Sequence, residues 1–481
     1  MRLLANAGFT LGMLIASALI TGNAACASEA ESAQSFNELL SRAKGGDADA
    51  QFSIGLDYFN GDGVVRSDAE ALKWWRLSAD QEHAGSQYNL GVMYRDGDGV
   101  AKDAAEAAKW FRRAAEQGLP HAQLELGVMY ANGEGVKEDE TEAEKWFQRA
   151  AERGFAEAQF ELAAMLDGSE GGEADDGEAL KWFRRAAKQG NADAQFSLGI
   201  KYLNGEGGRK SAAKAARWFR RSADQGNEWA QNNLGTLYSK GEGVAHDAEE
   251  AVKWYRLAAD QGLADAQYNL GVRYETGDGV SKSAAEAARL YRLAAEQGYA
   301  EAQYNLGGLL ADGKGVPEND EEALKWYRLA AEQGYALAQY NLGVMYREGE
   351  GVAKDTAEAL KWYRLAAEQG SAEAQFTLGI MSDSGDGVAK DLAKAADWYR
   401  LAAEQGYGLA QYNLGVMYFN GEGVPENHVS GYAWMLTAQS QGVTVEDLGA
   451  AESEMTRKEI AASRKLSAHC MKSDYHECDQ L

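Results

Sequence analysis

Apolar residues along this chain fall at helical spacing, and the spacing itself repeats. Ala50, Ile54 and Tyr58 recur at i, i+4 and i+8, the stripe of one helix, here called helix A. The glycine-rich stretch Asn60-Gly61-Asp62-Gly63-Val64 ends it. Leu72, Trp75 and Ala79 then mark a second stripe, helix B. The pair returns every 36 residues. A glycine in the middle of helix A marks the step: Gly55, Gly91, Gly127, Gly199, Gly235, Gly271, Gly307, Gly343, Gly379 and Gly415, with Ala163 in the remaining place. Eleven units cover residues 47–442 without insertion. This period predicts an all-α chain of stacked helix pairs, in which each pair buries its apolar face only against its neighbours.

Other positions keep the same step. Helix B opens at Ser67, Asp103, Asp139, Asp175, Ser211, Asp247, Ser283, Asn319, Asp355, Asp391 and Asn427, each a residue type whose side chain caps a helix N-terminus. Eight units carry Glu three positions later, Glu70 and Glu358 among them, which predicts capping boxes. Trp74, Trp110, Trp146, Trp182, Trp218, Trp254, Trp326, Trp362, Trp398 and Trp434 share one place in helix B and read as packing between helices. The helix-A glycine predicts close approach of the two helices. Gln51 and its equivalents are Gln in all eleven units, and an amide repeated at a joint predicts satisfied backbone groups between repeats. Repeat four departs from the pattern at Ala163, Leu166 and Gly168-Ser169-Glu170-Gly171-Gly172, and repeat five lacks the turn valine at Gly208. Residues 163–210 are therefore the expected soft joint.

The ends read differently. Arg2, an apolar stretch over Leu11–Ile20 and Ala25-Cys26-Ala27 predict a signal peptide over residues 1–27, cleaved between Ala27 and Ser28. The other reading is a lipoprotein anchored through Cys26. No further apolar run is long enough to cross a bilayer. Residues 28–46 align with the helix-B half of a unit, so Phe36, Leu39 and Leu40 are expected to cap the first repeat. Residues 443–481 carry the capping-box pattern Thr456-Arg457-Lys458-Glu459 before a last helix. With Cys26 removed, Cys470 and Cys478 are an even pair in an exported chain, and a disulfide loop is expected. Metal binding by His469, Cys470, His476 and Cys478 is the rival.

Charge removes one class of partner. The chain has 48 Lys+Arg against 74 Asp+Glu, a net charge of −26, which repels a phosphate backbone, so no nucleic acid is expected. The acidic turns, such as Asp96-Gly97-Asp98-Gly99, lack the spaced carboxylates and terminal Glu of a calcium loop, and their glycines suit the positive φ that ends a helix. Ser41-Arg42-Ala43-Lys44 and Ser211-Ala212-Ala213-Lys214 match S-x-x-K, but the companion motifs of a serine β-lactamase are missing. No catalytic residue, cofactor or resident metal is expected.

The unit A-x-A-Q-[FY]-N-L-G-V-M-Y-x-x-G-x-G-V-x-x-D-x-x-E-A-x-K-W-[FY]-R-x-A-A-E-Q-G, nearly verbatim at residues 84–118 and 336–370, resembles the Sel1-like repeat, a relative of the tetratricopeptide repeat. The resemblance implies a right-handed α/α superhelical solenoid and an exported, non-enzymatic scaffold for a protein or peptide partner. Envelope signalling, exopolysaccharide regulation or export, and host contact are the implied settings, in the periplasm or outside the cell. A glycan-binding envelope protein is the alternative, and a β-lactamase-like hydrolase a remote one. In tetratricopeptide-like folds helix A lines the groove. That places Tyr88-Asn89, Tyr268-Asn269, Tyr304-Asn305, Tyr340-Asn341 and Tyr412-Asn413 there, as an aromatic and amide ladder for an extended peptide. The other reading is that Tyr packs on the next repeat and Asn is solvated. Trp229, with Asn232 and Asn233, breaks the ladder in repeat six at a variable position. It reads as a binding anchor or as a packing residue.

Overall fold

The computed structural model of the chain describes residues 29–168, 173–206, 209–446, 448–473 and 475. The expected leader over 1–27, its cleavage residues Ala27 and Ser28, and Cys26, His476 and Cys478 lie outside the described residues. Among the described residues there are 25 helices and no strand. The helices divide into two compact units, Met1–His246 and Asp247–Leu481, with helix A of repeat six in the first and helix B in the second. Each is an all-α stack in which helices A and B of a repeat pack on each other and on the next repeat.

Capping shows how the sequence sets this register. Ten of the eleven expected caps accept a hydrogen bond from the first turn of helix B, as Asp355 does from the Glu358 N–H at 3.0 Å. Asp175 does not. Repeat four has no turn valine, and its helix B begins at Glu173, which puts Asp175 inside the helix. The capping-box expectation also needs correcting within the repeats. There the cap's own N–H donates to a carbonyl in the last turn of helix A, as from Ser67 to Tyr58 (2.8 Å) and from Asp355 to Tyr346 (2.9 Å). The Glu one turn in is thereby released to pair elsewhere: Glu358 accepts from Lys361 at 3.1 Å and from the Trp362 indole at 3.0 Å. The box closes in both directions at Thr456 and Glu459, where the last helix, Arg457–Lys472, has no helix A behind it to supply that carbonyl.

Helix A approaches helix B through its glycine. A Cβ on Gly343 would stand 2.6 Å from the Tyr363 ring, and one on Gly91 2.6 Å from Phe111. The aromatic that follows the repeated tryptophan is thus the one that fills the helix crossing, and Trp75, Phe111, Tyr291 and Tyr363 are fully buried. Of the tryptophans, Trp74, Trp146, Trp182, Trp254, Trp362 and Trp434 are buried and Trp110, Trp218, Trp326 and Trp398 half-buried.

The joint between repeats is made by amides. In all eleven repeats the helix-A glutamine donates to a carbonyl near the end of the preceding helix, as from Gln303 to Ala295 (3.1 Å) and from Gln339 to Ala331 (3.1 Å). A second glutamine 30 residues on donates to the oxygen of the first, as from Gln333 to Gln303 at 2.8 Å. Both ends of the array are covered. Phe36, Leu39 and Leu40 of Glu29–Lys44 pack against Ala50, Ile54 and Trp74, while Cys470 of the last helix joins the core cluster of Tyr399 and Trp434. Cys470 is disulfide-bonded, which removes its thiolate from the rival metal set; Cys478 lies outside the described residues.

Candidate functional site

In the unit Asp247–Leu481, helix A places one aromatic ring per repeat at the same height. Tyr268, Tyr304, Tyr340 and Phe376 come from helices Ala264–Thr276, Ala300–Ala311, Ala336–Glu348 and Ala372–Ser384. The three tyrosines are half-buried. Each ring leans on helix B of its own repeat: Tyr268 on Tyr291, Tyr304 on Tyr327, Tyr340 on Tyr363, with centroids 5.7–5.8 Å apart. Where the residue before the next helix A is also aromatic, the ring meets it. Tyr268 and Tyr299 lie 5.1 Å apart, Tyr304 and Tyr335 5.3 Å, Phe376 and Tyr407 5.0 Å. Ser371 interrupts the run after Tyr340.

The asparagines next to the rings, Asn269, Asn305, Asn341 and Asn413, are half-buried. The Asn305 side chain stands beside the hydroxyls of Tyr268 and Tyr291 in the preceding repeat and opposes the rise that burial gives their pKa. Asn341 stands in the same way beside Tyr304 and Tyr327, and Asn413 beside Tyr399. Asn269, half-buried, holds the same register one repeat earlier. Rings and amides therefore share one surface, with Asn305, Asn341 and Asn413 set beside phenols of the preceding repeat.

Carboxylates edge this surface. Burial pushes the Tyr299 hydroxyl up to about 12, and Asp265 and Glu301 add to the shift. Burial likewise raises Tyr304, with Glu373 adding and Asn341 opposing, and it raises Tyr335 beside Glu301. At neutral pH the phenols are therefore neutral and the charge comes from the acids. Those acids, Asp265, Glu301 and Glu373, stand at the second position of helix A. In the alternating repeats that position holds Leu337 and Leu409, exposed at 43% and 47%.

Trp229 occupies the same second position, in helix A of repeat six (Glu228–Lys240), and is 44% exposed. The Asn233 amide donates back to the Trp229 carbonyl at 2.8 Å, which occupies one of its hydrogens within its own helix. Asn232, expected on the groove, is instead buried. It stands at the ring position of the repeat, and an amide there is too short to reach the surface that a tyrosine reaches. Leu337 and Leu409 were missed as counterparts of Trp229, although their shared register was readable. Two repeats of the first unit carry an acid, Glu125 and Glu161, at the place where Asn269, Asn305, Asn341 and Asn413 stand in the second. Glu125 pairs with Arg95 at 2.8 Å, and burial, with Asp193 adding, pushes Glu161 up to about 7.

Ser211 caps helix B of repeat five and accepts the Lys214 backbone N–H, so its hydroxyl serves the helix. Among the described residues no helix is long and apolar enough to cross a membrane.

A helical-repeat solenoid whose polar surface is built on one face of helix A belongs to the class of interaction scaffolds. The Sel1 repeat profile matches eleven consecutive segments, 48–83, 84–119, 120–155, 156–191, 192–227, 230–263, 264–299, 300–335, 336–371, 372–407 and 408–443, and the chain belongs to the Sel1 repeat family. Sel1-repeat proteins act as scaffolds for protein–protein interaction. The chain is similar to a protective antigen of uropathogenic Escherichia coli with an SLR fold: 37% identity, TM-score 0.84, over 92% of this chain and 96% of that one. It is also 30% identical to a Sel1 repeat protein from Oxalobacter formigenes, over 76% of this chain and 98% of that one, with a TM-score of 0.40. No curated protein matches the chain.

Proposed function

We propose that this chain is an exported, non-enzymatic scaffold that binds an extended, basic segment of a partner protein on the helix-A face of residues 264–407. The run of half-buried tyrosine rings with an asparagine beside each carries this reading. Rings offer faces to a cation or an aromatic side chain, Asp265, Glu301 and Glu373 offer opposite charge, and Leu337 offers apolar area. Because Asn305 and Asn341 are half-buried on helix A, less side-chain entropy is lost when a peptide backbone meets them than at a fully exposed amide. The sequence of residues 1–27 supports export to the periplasm or medium, and the likeness to a protective antigen fits a chain that leaves the cytoplasm. Envelope signalling, exopolysaccharide export and host contact are settings in which such a scaffold serves.

Fluorescence anisotropy with extended peptides of graded charge tests the reading. Basic peptides with aromatic residues should bind, Asn305→Ala with Asn341→Ala should weaken them about tenfold, and Glu301→Lys with Glu373→Lys should reverse the charge preference. Binding of soluble oligosaccharides in place of every peptide would favour the glycan alternative. Fractionation of cells expressing a C-terminally tagged chain tests export: a full-length cytoplasmic product would refute it.

A further inference from the structure

A second surface lies on helix B, and it differs between the two units. In helix B of repeats two to five, the place three residues after the repeated tryptophan is Arg113, Arg149, Arg185 and Arg221. Each guanidinium covers its tryptophan, 4.7, 4.5, 4.5 and 4.7 Å from the ring centroid. In repeats six to ten the same place is Leu257, Leu293, Leu329, Leu365 and Leu401, all in the unit Asp247–Leu481 and exposed at 37–48%. A leucine stands singly at this place in repeat one, as Leu77. In repeat eleven it is Thr437, buried and 2.9 Å from the Ser467 hydroxyl of the last helix, so the row ends where the chain covers its own face. Five consecutive exposed leucines at one register are an unpartnered apolar row, with a hollow lined by Glu322, Lys325, Trp326 and Leu329 opening beside it.

The charges beside the row point to its occupant. One helical turn toward the N-terminus of each helix B stand Lys253, Arg289, Lys325 and Lys361, all exposed, with Asp397 the exception in repeat ten. One turn toward the C-terminus stand Asp260, Glu296, Glu332, Glu368 and Glu404, the first four exposed. The row therefore runs between a basic and an acidic border. A copy related by a two-fold axis along the row sets each basic border against the other's acidic border and leucine against leucine. A two-fold axis across the row would set like charge on like. The basic side chains already hold exposed i,i+3 partners, such as Lys253 with Glu250 and Lys361 with Glu358, and these are weak enough to exchange. A face five repeats long and about three helical turns wide is on the scale of the roughly 800 Å² per partner that a stable interface needs.

We propose that the helix-B face of residues 253–404 is a homodimer interface, two copies pairing with their repeats in parallel register. The contact is isologous, the same patch on both chains. The net charge of −26 opposes association at low salt, and the two borders decide the orientation in which it succeeds.

Sedimentation velocity of the purified full chain tests this. The wild type should show a reversible monomer–dimer equilibrium in the micromolar range. Leu329→Arg with Leu365→Arg should raise the dissociation constant at least about thirtyfold while helix content and thermal midpoint hold, since arginine at this register is what repeats two to five carry. Lys325→Glu with Lys361→Glu should weaken the dimer, as should Glu332→Lys with Glu368→Lys, and mixing these two variants should restore a heterodimer. A wild type that stays monomeric at about 100 μM, a double-arginine variant that still dimerises, or a mixture that fails to recover would each overturn the proposal.

Discussion

At the residue scale, the glycine of helix A has the least freedom to change. A methyl group at Gly343 must displace the Tyr363 ring, which is fully buried and shared with Tyr340. Gly343→Ala is expected to cost about 1–3 kcal/mol, read as a lower thermal midpoint with faster hydrogen exchange in residues 336–368. Glu161 is a residue of another kind. Its pKa in the folded chain, about 7, lies above the ordinary 4.5. The stability tied to its protonated form is therefore whole below about pH 4.5 and lost as pH rises through about 7. Glu161→Gln should be more stable than the wild type at pH 8, on the order of 1 kcal/mol, and equal to it at pH 4. A midpoint difference independent of pH would show that the carboxylate meets no such burial. Asp193 contributes to the shift and is itself held by Asn227 at 3.0 Å, so the amide must stay in place for the test.

At the element scale, the helix pairs were legible before any coordinates because one step of 36 residues fixes caps, crossings and turns together. The tyrosine and tryptophan places, the helix-A glycine and the joint glutamine all sit where the period puts them. Misreadings arose where one atom can be satisfied by two neighbours. The Glu at the third position of helix B suits a capping box, but the carbonyl of helix A reaches the cap N–H instead, and no pattern within helix B reports that. The phenols beside Asn305 and Asn341 belong to the repeat before them, so no single repeat read by itself shows that neighbourhood. The glutamine joint gives the sharpest test at this scale. Gln303→Ala removes the amide that bonds the Ala295 carbonyl and the oxygen that takes the Gln333 amide, leaving that carbonyl with the Gly298 N–H alone, at about 0.5–1.5 kcal/mol. Hydrogen exchange should report that loss in repeats seven and eight and leave repeat ten unchanged.

At the scale of the whole molecule, the site was harder to read than the fold. A period draws the eye to positions that stay the same, and those are spent on packing. The positions that differ carry the surface: Trp229, Leu337 and Leu409 at the second place of helix A, and arginine exchanged for leucine along helix B. Each difference is a single residue against a conserved background within the chain, and its meaning appears only when neighbouring repeats are stacked. Charge acts at this scale too. With 74 acids against 48 bases, the folded chain repels itself, so its thermal midpoint should rise as salt goes from about 10 to 200 mM. A midpoint that falls with salt would mean that the ion pairs outweigh the self-repulsion.

The glutamine joint has one further consequence. Each joint asks only for an amide in one helix, a carbonyl eight residues before it and a second amide 30 residues after it, and these terms are the same at successive joints. Such a chain can change length in whole steps, as a ruler does, without any seam being redesigned. Removing residues 300–335 would bring Gln339 to the Ala295 carbonyl with the spacing that Gln303 now has. The shortened chain should fold, with a thermal midpoint within a few degrees of the parent and one ring fewer on its helix-A face. Recombination between repeats would then be a route by which such a gene tries new lengths of binding surface while the fold stays intact.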